Sequence, residues 1–291
     1  MFYFDGLLMY CLGAMVQIVG ESLPISSSGH FELLQRITNL YFPHFGETVD
    51  LSYFYNVLQI FSAIIFLCYF FRTWWKLVVD RPITCTSLCD VQVWRKNIVP
   101  VILFGLVADG ITFLFWYGDI AERFQFSLTV GFVITALALW SMQFAQEKQG
   151  INIWALPYGC IVGIVQGLAL FPGISRFATT MAALQWLGYQ RRIAFAVSFL
   201  LQWPLLVGMS IKIIVEFYQL LFGGCSIGEV GAILNDGVIA CSIIFLLCIC
   251  ALLPVILAAV ALHYVGKMID KNILWKFSYY MIIPISLSLI F

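Results

Sequence analysis

Apolar segments long enough to cross a bilayer as helices follow one another along almost the whole chain. A transmembrane helix needs roughly 17 to 25 predominantly apolar residues, and runs of about this size occupy 51–71, 98–117, 127–145, 193–221, 237–262 and 277–291. Hydrophobic residues make up 62% of the chain and charged residues only 10%, whereas soluble domains are about 45 to 50% apolar. The sequence therefore predicts an all-α integral membrane protein with six transmembrane helices, forming a single membrane domain over 1–291.

Two further apolar stretches, 6–38 and 153–190, are each interrupted by polar residues. The first polar island is residues 21–30, Glu-Ser-Leu-Pro-Ile-Ser-Ser-Ser-Gly-His, and the second polar island is residues 172–180, Pro-Gly-Ile-Ser-Arg-Phe-Ala-Thr-Thr. A backbone that leaves helical geometry within lipid must be shielded by protein or line a cavity. Each stretch is therefore predicted to be a re-entrant helix-turn-helix hairpin.

The charge distribution supports this topology, because short cytoplasmic loops collect Lys and Arg. With the loop after the first span placed in the cytoplasm, that side receives Arg72, Lys76, Arg81, Arg95, Lys96, Lys148, Arg191, Arg192, Lys267, Lys271 and Lys276. The opposite loops, 39–50, 118–126 and 222–236, contain Arg123 as their only Lys or Arg. Both termini are then expected on the outside.

An inverted-topology repeat follows from this arrangement. Each half, about 1–145 and 146–291, consists of one broken hairpin followed by three spans. An odd number of spans inverts the second half relative to the first, so the two broken hairpins enter from opposite faces and can meet near the midplane. The two polar islands are therefore expected to form one site.

Other features exclude several classes of partner and site. The formal net charge of zero favours no nucleic-acid partner. Cys85 and Cys89 share a polar loop, but no second Cys/His pair completes a zinc site. The start, residues 1–5, lacks the basic region of a cleavable signal peptide, so the first apolar segment is expected to be kept.

In the first polar island, an acid, a row of hydroxyls and a histidine follow one another closely. Gln17 and Glu21 are four residues apart and should share one face of a helix. Pro24 then ends that helix. Residues 26–28 are serines that provide hydroxyl and amide donors at the start of the next helix, where an anion is favoured. The alternative is an ordinary capped turn in which Glu21 and His30 satisfy each other.

The second polar island adds a cation. Pro172 and Gly173 predict a turn, after which Ser175 can cap a helix that carries Arg176 in its first turn. Arginine suits phosphate because its planar guanidinium donates two parallel hydrogen bonds and stays charged.

The alternative for Arg176 is a structural salt bridge to Glu21 or to Asp109. A wholly structural role for both islands would leave Arg176 and the serine row without a purpose.

Both islands resemble the motifs of a known family. Gln17 and Glu21 with residues 23–30, and residues 166–176, Gln-Gly-Leu-Ala-Leu-Phe-Pro-Gly-Ile-Ser-Arg, are similar to the two motifs of the bacterial undecaprenyl-diphosphate phosphatases of the bacitracin-resistance type. The similarity extends to residues 199–204. It implies a multi-pass protein of the bacterial inner membrane that hydrolyses the C55 lipid diphosphate to its monophosphate and inorganic phosphate, recycling the carrier for peptidoglycan synthesis.

The residues that match motif positions of the family are Glu21, Ser27, His30, Ser175, Arg176 and Thr180, with Gln17 at a position that is Glu or Gln. From their chemistry we expect the following roles. Glu21, with Gln17, would hold a divalent cation, Mg²⁺ or Ca²⁺, because hard cations prefer oxygen ligands. Ser27 or a water would attack, with His30 as general base or acid. The phosphate-binding side chains would be Ser26, Ser28, Ser175, Arg176 and Thr180.

One departure affects the second motif. Where the family continues Arg, Ser, Gly, Ala, Thr, residues 176–180 are Arg-Phe-Ala-Thr-Thr, so a hydroxyl and a glycine are missing. Thr179 could supply the hydroxyl from a neighbouring position; otherwise phosphate affinity or substrate preference would differ.

Two other functions share sequence features with the phosphatase. The type 2 phosphatidic acid phosphatases also contain Ser-Gly-His, but they need a histidine six residues after the arginine of their last motif, where this chain has Ala182. Inverted repeats with broken helices also occur in transporters, so a polyprenyl phosphate transporter or flippase is the alternative function. A homodimer is possible, although the Gly159 and Gly163 spacing favours packing within one bundle.

Overall fold

The structure is entirely helical wherever it describes regular elements, which confirms the predicted all-α class. The computed structural model describes residues 10–41, 51–78, 99–100, 102–108, 110–111, 114, 127–147, 155–169, 171–222 and 237–291. The helices are α1 (10–22), α2 (Ser27–Tyr41), α3 (Leu51–Val78), α4 (Leu128–Ser141), α5 (Ala155–Leu168), α6 (Arg176–Trp186), α7 (Arg191–Phe222), α8 (Gly237–Asp270), α9 (Phe277–Tyr280) and α10 (Ile282–Ile290).

Several helices have the length and composition of membrane spans. Among the described residues, the segments long and apolar enough to cross a bilayer are Asn56–Lys76, Arg191–Val215 and Leu252–Asp270. Shorter apolar helices cover Leu128–Phe144, Tyr158–Leu168 and Leu274–Ile290. Five of the predicted spans therefore coincide with helices, whereas the predicted span 98–117 lies partly outside the described residues.

Both polar islands interrupt helices, as the sequence predicts. Helix α1 ends at Ser22, and Leu23 is extended, with φ −108° and ψ 155°, because the ring of Pro24 disfavours helical geometry in the preceding residue. Helix α5 ends at Leu168 and α6 begins at Arg176. Between them Gly173 has φ 85°, a conformation that side chains other than glycine rarely adopt.

Within the described part of the chain, helices α3 and α7 form the most extensive helix pair, and two tryptophans join them. The indole Nε1 of Trp74 donates to the carbonyl of Ala196 at 2.9 Å, and that of Trp203 donates to the carbonyl of Ala63 at 3.0 Å. Between the helices lies an aromatic cluster, defined here as Phe66, Phe70, Phe177, Phe195 and Phe199. This packing fixes α7 against α3 beside the second polar island.

The two polar islands touch through glycine backbones. A Cβ atom on Gly29 of α2 would lie only 2.7 Å from the backbone of Gly173, and one on Gly131 of α4 would meet the carbonyl of Pro172. Such an approach leaves no room for a side chain, so glycine is needed at each contact. The contact brings the turn between α5 and α6 directly onto the start of α2.

The glycine pair of α5 packs within the chain. A Cβ on Gly159 would meet the side chain of Phe104 at 2.8 Å, and a Cβ on Gly163 would meet that of Ala108 at 2.7 Å. Both neighbours belong to the helical residues 102–108. The prediction that this spacing serves packing inside one bundle is confirmed, and the homodimer remains a prediction.

Candidate active site

A cavity of about 210 Å³ is lined by both polar islands. Glu21 and Arg176, which the sequence analysis placed in one site, both line it. The other lining residues are Gly20, Leu23, Ser26, Ser27, Ser28, Asn56, Gln59, Ala169, Ile174, Ser175, Phe177, Gln202, Leu205, Leu206 and Met209. The α7 residues beyond Gln202 give the cavity an apolar wall, whereas the islands give it a polar one.

The carboxylate of Glu21 accepts three hydrogen bonds. Its Oε1 accepts from Gln17 Nε2 at 3.2 Å and from Ser27 Oγ at 2.8 Å, and its Oε2 accepts from Gln202 Nε2. Gln17 lies in a π-helical turn, Met15–Val19, within α1, and such turns are frequent at functional sites. The predicted pairing of Gln17 with Glu21 on one face is confirmed.

The serine turn is held by its own backbone and hydroxyls. Ser26 has a positive φ of 27°, a sparsely populated conformation that tends to persist at functional sites. Its hydroxyl accepts a hydrogen bond from Gly29 N at 3.3 Å, which caps the start of α2, and lies 3.3 Å from the hydroxyl of Ser28. All three serines line the cavity.

The structure does not bring His30 to the lining of the cavity. Its Nδ1 lies 2.8 Å from the carbonyl oxygen of Ser26, and its Nε2 lies 3.1 Å from the hydroxyl of Tyr280 in α9. Its ring packs edge-on against Phe132. The alternative in which Glu21 and His30 satisfy each other is wrong, since each has other partners. General acid or base work by His30 remains a prediction.

The second polar island is capped as predicted and is braced by a residue that the sequence analysis missed. Ser175 is the N-cap of α6, where its Oγ accepts from Ala178 N at 3.3 Å. The hydroxyl of Thr135 in α4 donates to the carbonyl of Gly173 at 2.8 Å and accepts from Ser175 N at 2.8 Å. A buried hydroxyl in an apolar run was the available signal, because buried polar groups need partners.

Arg176 lines the cavity without forming a salt bridge to any described residue, Glu21 included. Its Nε is buried and has no hydrogen-bond partner within that part of the chain. The alternative of a structural salt bridge to Glu21 is therefore wrong, and Asp109 lies outside the described residues. A guanidinium at the start of a helix that faces a cavity, with no described carboxylate within salt-bridge distance, favours an anionic ligand.

The two threonines after Arg176 do not line the cavity. Thr179 Oγ1 donates to the carbonyl of Ser175 at 2.9 Å, and Thr180 Oγ1 is buried and has no hydrogen-bond partner among the described residues. Thr179 thus does not replace the hydroxyl that the family has after its arginine, and phosphate binding by Thr180 remains a prediction.

Phe177 stands in place of that hydroxyl and belongs to the aromatic cluster. Its ring centroid lies 4.6 Å from that of Phe199 and 5.6 Å from that of Phe195, and the residue is 2% exposed. The ring therefore serves both as cavity wall and as core.

We expect Phe177→Ser to lower stability rather than improve catalysis. Removing a buried phenyl ring costs about 3 to 5 kcal/mol, because a cavity is left behind, and the new hydroxyl would face phenyl rings. Thermal unfolding of the purified protein measures this loss, with Phe71→Ser, an exposed position on α3, as control. A Phe177→Ser protein as stable as the parent would contradict a core role for the ring.

The donor set around Glu21 fits a hard divalent cation. Among the described residues no group of three or more His, Cys, Asp or Glu side chains comes together, so Glu21 would be the charged ligand. The Oε1 atoms of Gln17 and Gln202 are buried and accept no hydrogen bond from the part of the chain that the structure describes, and amide oxygens are ligands for Mg²⁺ and Ca²⁺. One carboxylate beside amide oxygens suits a cation that shares its remaining positions with substrate phosphate and water.

Three further polar residues of the site come from the apolar runs. The cavity is also lined by Gln202 of α7 and by Asn56 and Gln59 of α3. None of the three belongs to the site predicted from the sequence. Each interrupts a hydrophobic segment, which was the signal. The face of the helix that each occupies could not be known before the two helices were packed.

Comparisons with known proteins agree with the family resemblance of the two polar islands. A family model described as "Bacitracin resistance protein BacA" matches residues 10–286. The undecaprenyl-diphosphatase of Borrelia hermsii is 26% identical, over 97% of this chain and 98% of the relative. That of Campylobacter concisus is 30% identical, over 75% of this chain and 81% of the relative. Since the family model covers nearly the whole sequence, this protein belongs to the bacitracin resistance protein family.

Proposed function

We propose that this protein hydrolyses undecaprenyl diphosphate to undecaprenyl phosphate and inorganic phosphate. The observation that carries the proposal is the cavity that Glu21 and Arg176 share, in which the guanidinium has no salt bridge to a described residue. The relatives named above are undecaprenyl-diphosphatases, which favours hydrolysis over the alternative of lipid transport. The reaction recycles the lipid carrier for cell-wall synthesis at the bacterial inner membrane and confers bacitracin resistance.

The cavity has one polar wall and one apolar wall, as a lipid diphosphate requires. Arg176, with Ser175 at the start of α6, binds the phosphoryl oxygens and stabilises the charge that develops as the bond breaks. The serine turn supplies further donors from Ser26 and Ser28. The apolar wall along α7, Leu205, Leu206 and Met209, receives the first isoprene units of the lipid.

Ser27 or a water beside it attacks the terminal phosphorus. The Ser27 hydroxyl donates to Glu21 Oε1 at 2.8 Å, which is the geometry of a nucleophile paired with a base. Glu21 takes the proton of the nucleophile, the bond between the terminal phosphorus and the bridging oxygen breaks, and undecaprenyl phosphate leaves. Attack by water gives inorganic phosphate directly, whereas attack by Ser27 gives a phosphoserine that a water then hydrolyses to inorganic phosphate. His30 could transfer a proton only after separating from Tyr280 or Ser26, because both of its ring nitrogens have partners.

Glu21 and Gln17 would hold Mg²⁺ or Ca²⁺, with Gln202 beside them. The cation, when bound, neutralises charge on the diphosphate and so favours departure of the lipid monophosphate.

The membrane topology extends the same proposal. We infer six transmembrane helices and two re-entrant hairpins, α1 with α2 and α5 with α6, in inverted repeats of about 1–145 and 146–291. The Gly29 to Gly173 contact supports it, since hairpins that enter from opposite faces would meet at their turns.

Phosphate release from polyprenyl diphosphates tests both the reaction and the cation. We expect the purified protein to release phosphate from the C55 diphosphate, chelator to lower the rate at least about tenfold, and Mg²⁺ or Ca²⁺ to restore it. Shorter polyprenyl diphosphates measure how much of the chain is recognised. Lipid movement across vesicles without phosphate release would contradict the enzyme, and a rate unaffected by chelator would contradict the cation alone.

A further inference from the structure

Gln202 reaches the carboxylate of Glu21 from the other half of the chain. The two residues are 181 positions apart, and Gln202 Nε2 donates to Glu21 Oε2, while Gln17 Nε2 donates to Oε1 at 3.2 Å. Each carboxylate oxygen therefore has its own glutamine donor. Gln202 is 3% exposed and lines the cavity, so it can act on Glu21 without obstructing the site.

The helical turn that carries Gln202 is fixed on both sides. The carbonyl of Leu201 accepts a hydrogen bond from Gln166 Nε2 at 3.0 Å, and the indole of Trp203 donates to Ala63 at 3.0 Å. Helix α5 and helix α3 thus each hold a direct neighbour of Gln202. A donor on a helical turn that is held in place can orient its hydrogen-bond partner, whereas a mobile donor would move with the partner.

The neutrality of Gln202 matters as much as its position. A lysine or arginine would hold Glu21 in a salt bridge and so compete with a bound cation for the carboxylate, whereas an amide donates a hydrogen bond and adds no charge. No described basic residue forms a salt bridge with Glu21. The carboxylate is therefore not held by a direct ion pair with a described residue, so it can bind a cation or accept the proton of Ser27.

We propose that Gln202 is a positioning residue, whose amide holds the Glu21 carboxylate in the orientation that catalysis uses. This inference rests on the proposed function, because it assigns a role within that reaction. Helix α7, which belongs to the second half of the chain, thereby contributes a residue to the function of the first polar island.

Gln202→Met tests the amide with little change in shape, because methionine has the same length and no N–H donor. We expect kcat to fall about 10- to 100-fold, as for loss of a hydrogen bond to a charged group, with KM changed less than about threefold. Gln185→Met is the matched control, since Gln185 is also buried but contacts Met142 instead of the cavity. We expect its kcat to stay within about twofold of the parent.

A double-mutant cycle separates positioning from damage to the fold. Gln17→Met and Gln202→Met act on one carboxylate, so their effects on kcat should not add, whereas those of Gln185→Met and Gln202→Met should. Additive losses in both pairs, or a loss explained by a smaller folded fraction in thermal unfolding, would overturn the proposal. So would a Gln202→Met enzyme with the kcat of the parent.

A chemical readout makes the test independent of turnover. A hydrophobic carbodiimide labels carboxyl groups, and we expect Glu21, located by mass spectrometry, to be labelled several-fold faster in Gln202→Met than in the parent or in Gln185→Met. If the parent releases no phosphate, the proposed function fails, and labelling still decides whether Gln202 holds Glu21. Equal labelling rates in all three proteins would overturn the positioning role.

Discussion

Replacement of Arg176 by alanine is expected to lower kcat/KM for undecaprenyl diphosphate by about 10²- to 10³-fold or more, the usual cost of losing one donor to transition-state charge. Arg176→Lys should recover little of this loss, because an ammonium group cannot donate the two parallel hydrogen bonds of a guanidinium. Phosphate release under first-order conditions measures both variants.

The control for Arg176 is Arg192→Lys. Arg192 pairs with Asp270 through bonds of 2.6 and 2.8 Å at an exposed position, where an ion pair contributes little. Its activity and thermal stability should match those of the parent. Parental activity in folded Arg176→Ala would exclude the guanidinium from the reaction, and the proposed mechanism would have to be abandoned.

Replacement of Glu21 by glutamine is expected to reduce kcat by about 10²- to 10⁴-fold, the range supplied by a positioned acid or base. The change keeps the shape of the side chain but removes the charge. It also places an N–H donor opposite the Nε2 donors of Gln17 and Gln202. In the parent these two donors bond to the two oxygens of the Glu21 carboxylate. Single-turnover phosphate release measures the loss.

Glu32→Gln provides the matching control for Glu21. Glu32 lies on α2 and pairs with Arg36 at 2.6 Å, one helix turn apart and partly exposed, so its removal should leave kcat unchanged. Calcium or magnesium binding by calorimetry gives a second measurement, and we expect binding to be lost in Glu21→Gln and kept in Glu32→Gln. A fully active Glu21→Gln enzyme would exclude the carboxylate from catalysis.

Helix positions could be predicted because hydrophobicity alone determines where a chain can cross lipid. The run predicted at 193–221 is α7, Arg191–Phe222. The run predicted at 237–262 continues to Asp270 in α8, because Lys267 and Asp270 lie at the end of the helix, where charged groups can reach water. An apolar run marks the buried part of a helix and not its polar end.

The site could be predicted only in part, because short motifs reveal neighbours along the chain but not across it. Glu21, Ser27 and Arg176 are brought together as expected. His30 follows the serines in sequence, yet its ring turns to Tyr280, 250 residues away. Gln202 and Thr135 act through contacts between distant helices, which one sequence without packing information does not reveal.

The contact between Gly29 and Gly173 limits how the site can open. No side chain stands between the two backbones, so rotamer changes there cannot create a passage. A rocking motion that exposed the cavity to alternate sides of the membrane would have to separate the two main chains. It would also have to break the hydrogen bond from Ser175 N to Thr135 Oγ1. Hydrolysis needs no such motion, because a headgroup that diffuses into the cavity leaves this contact in place.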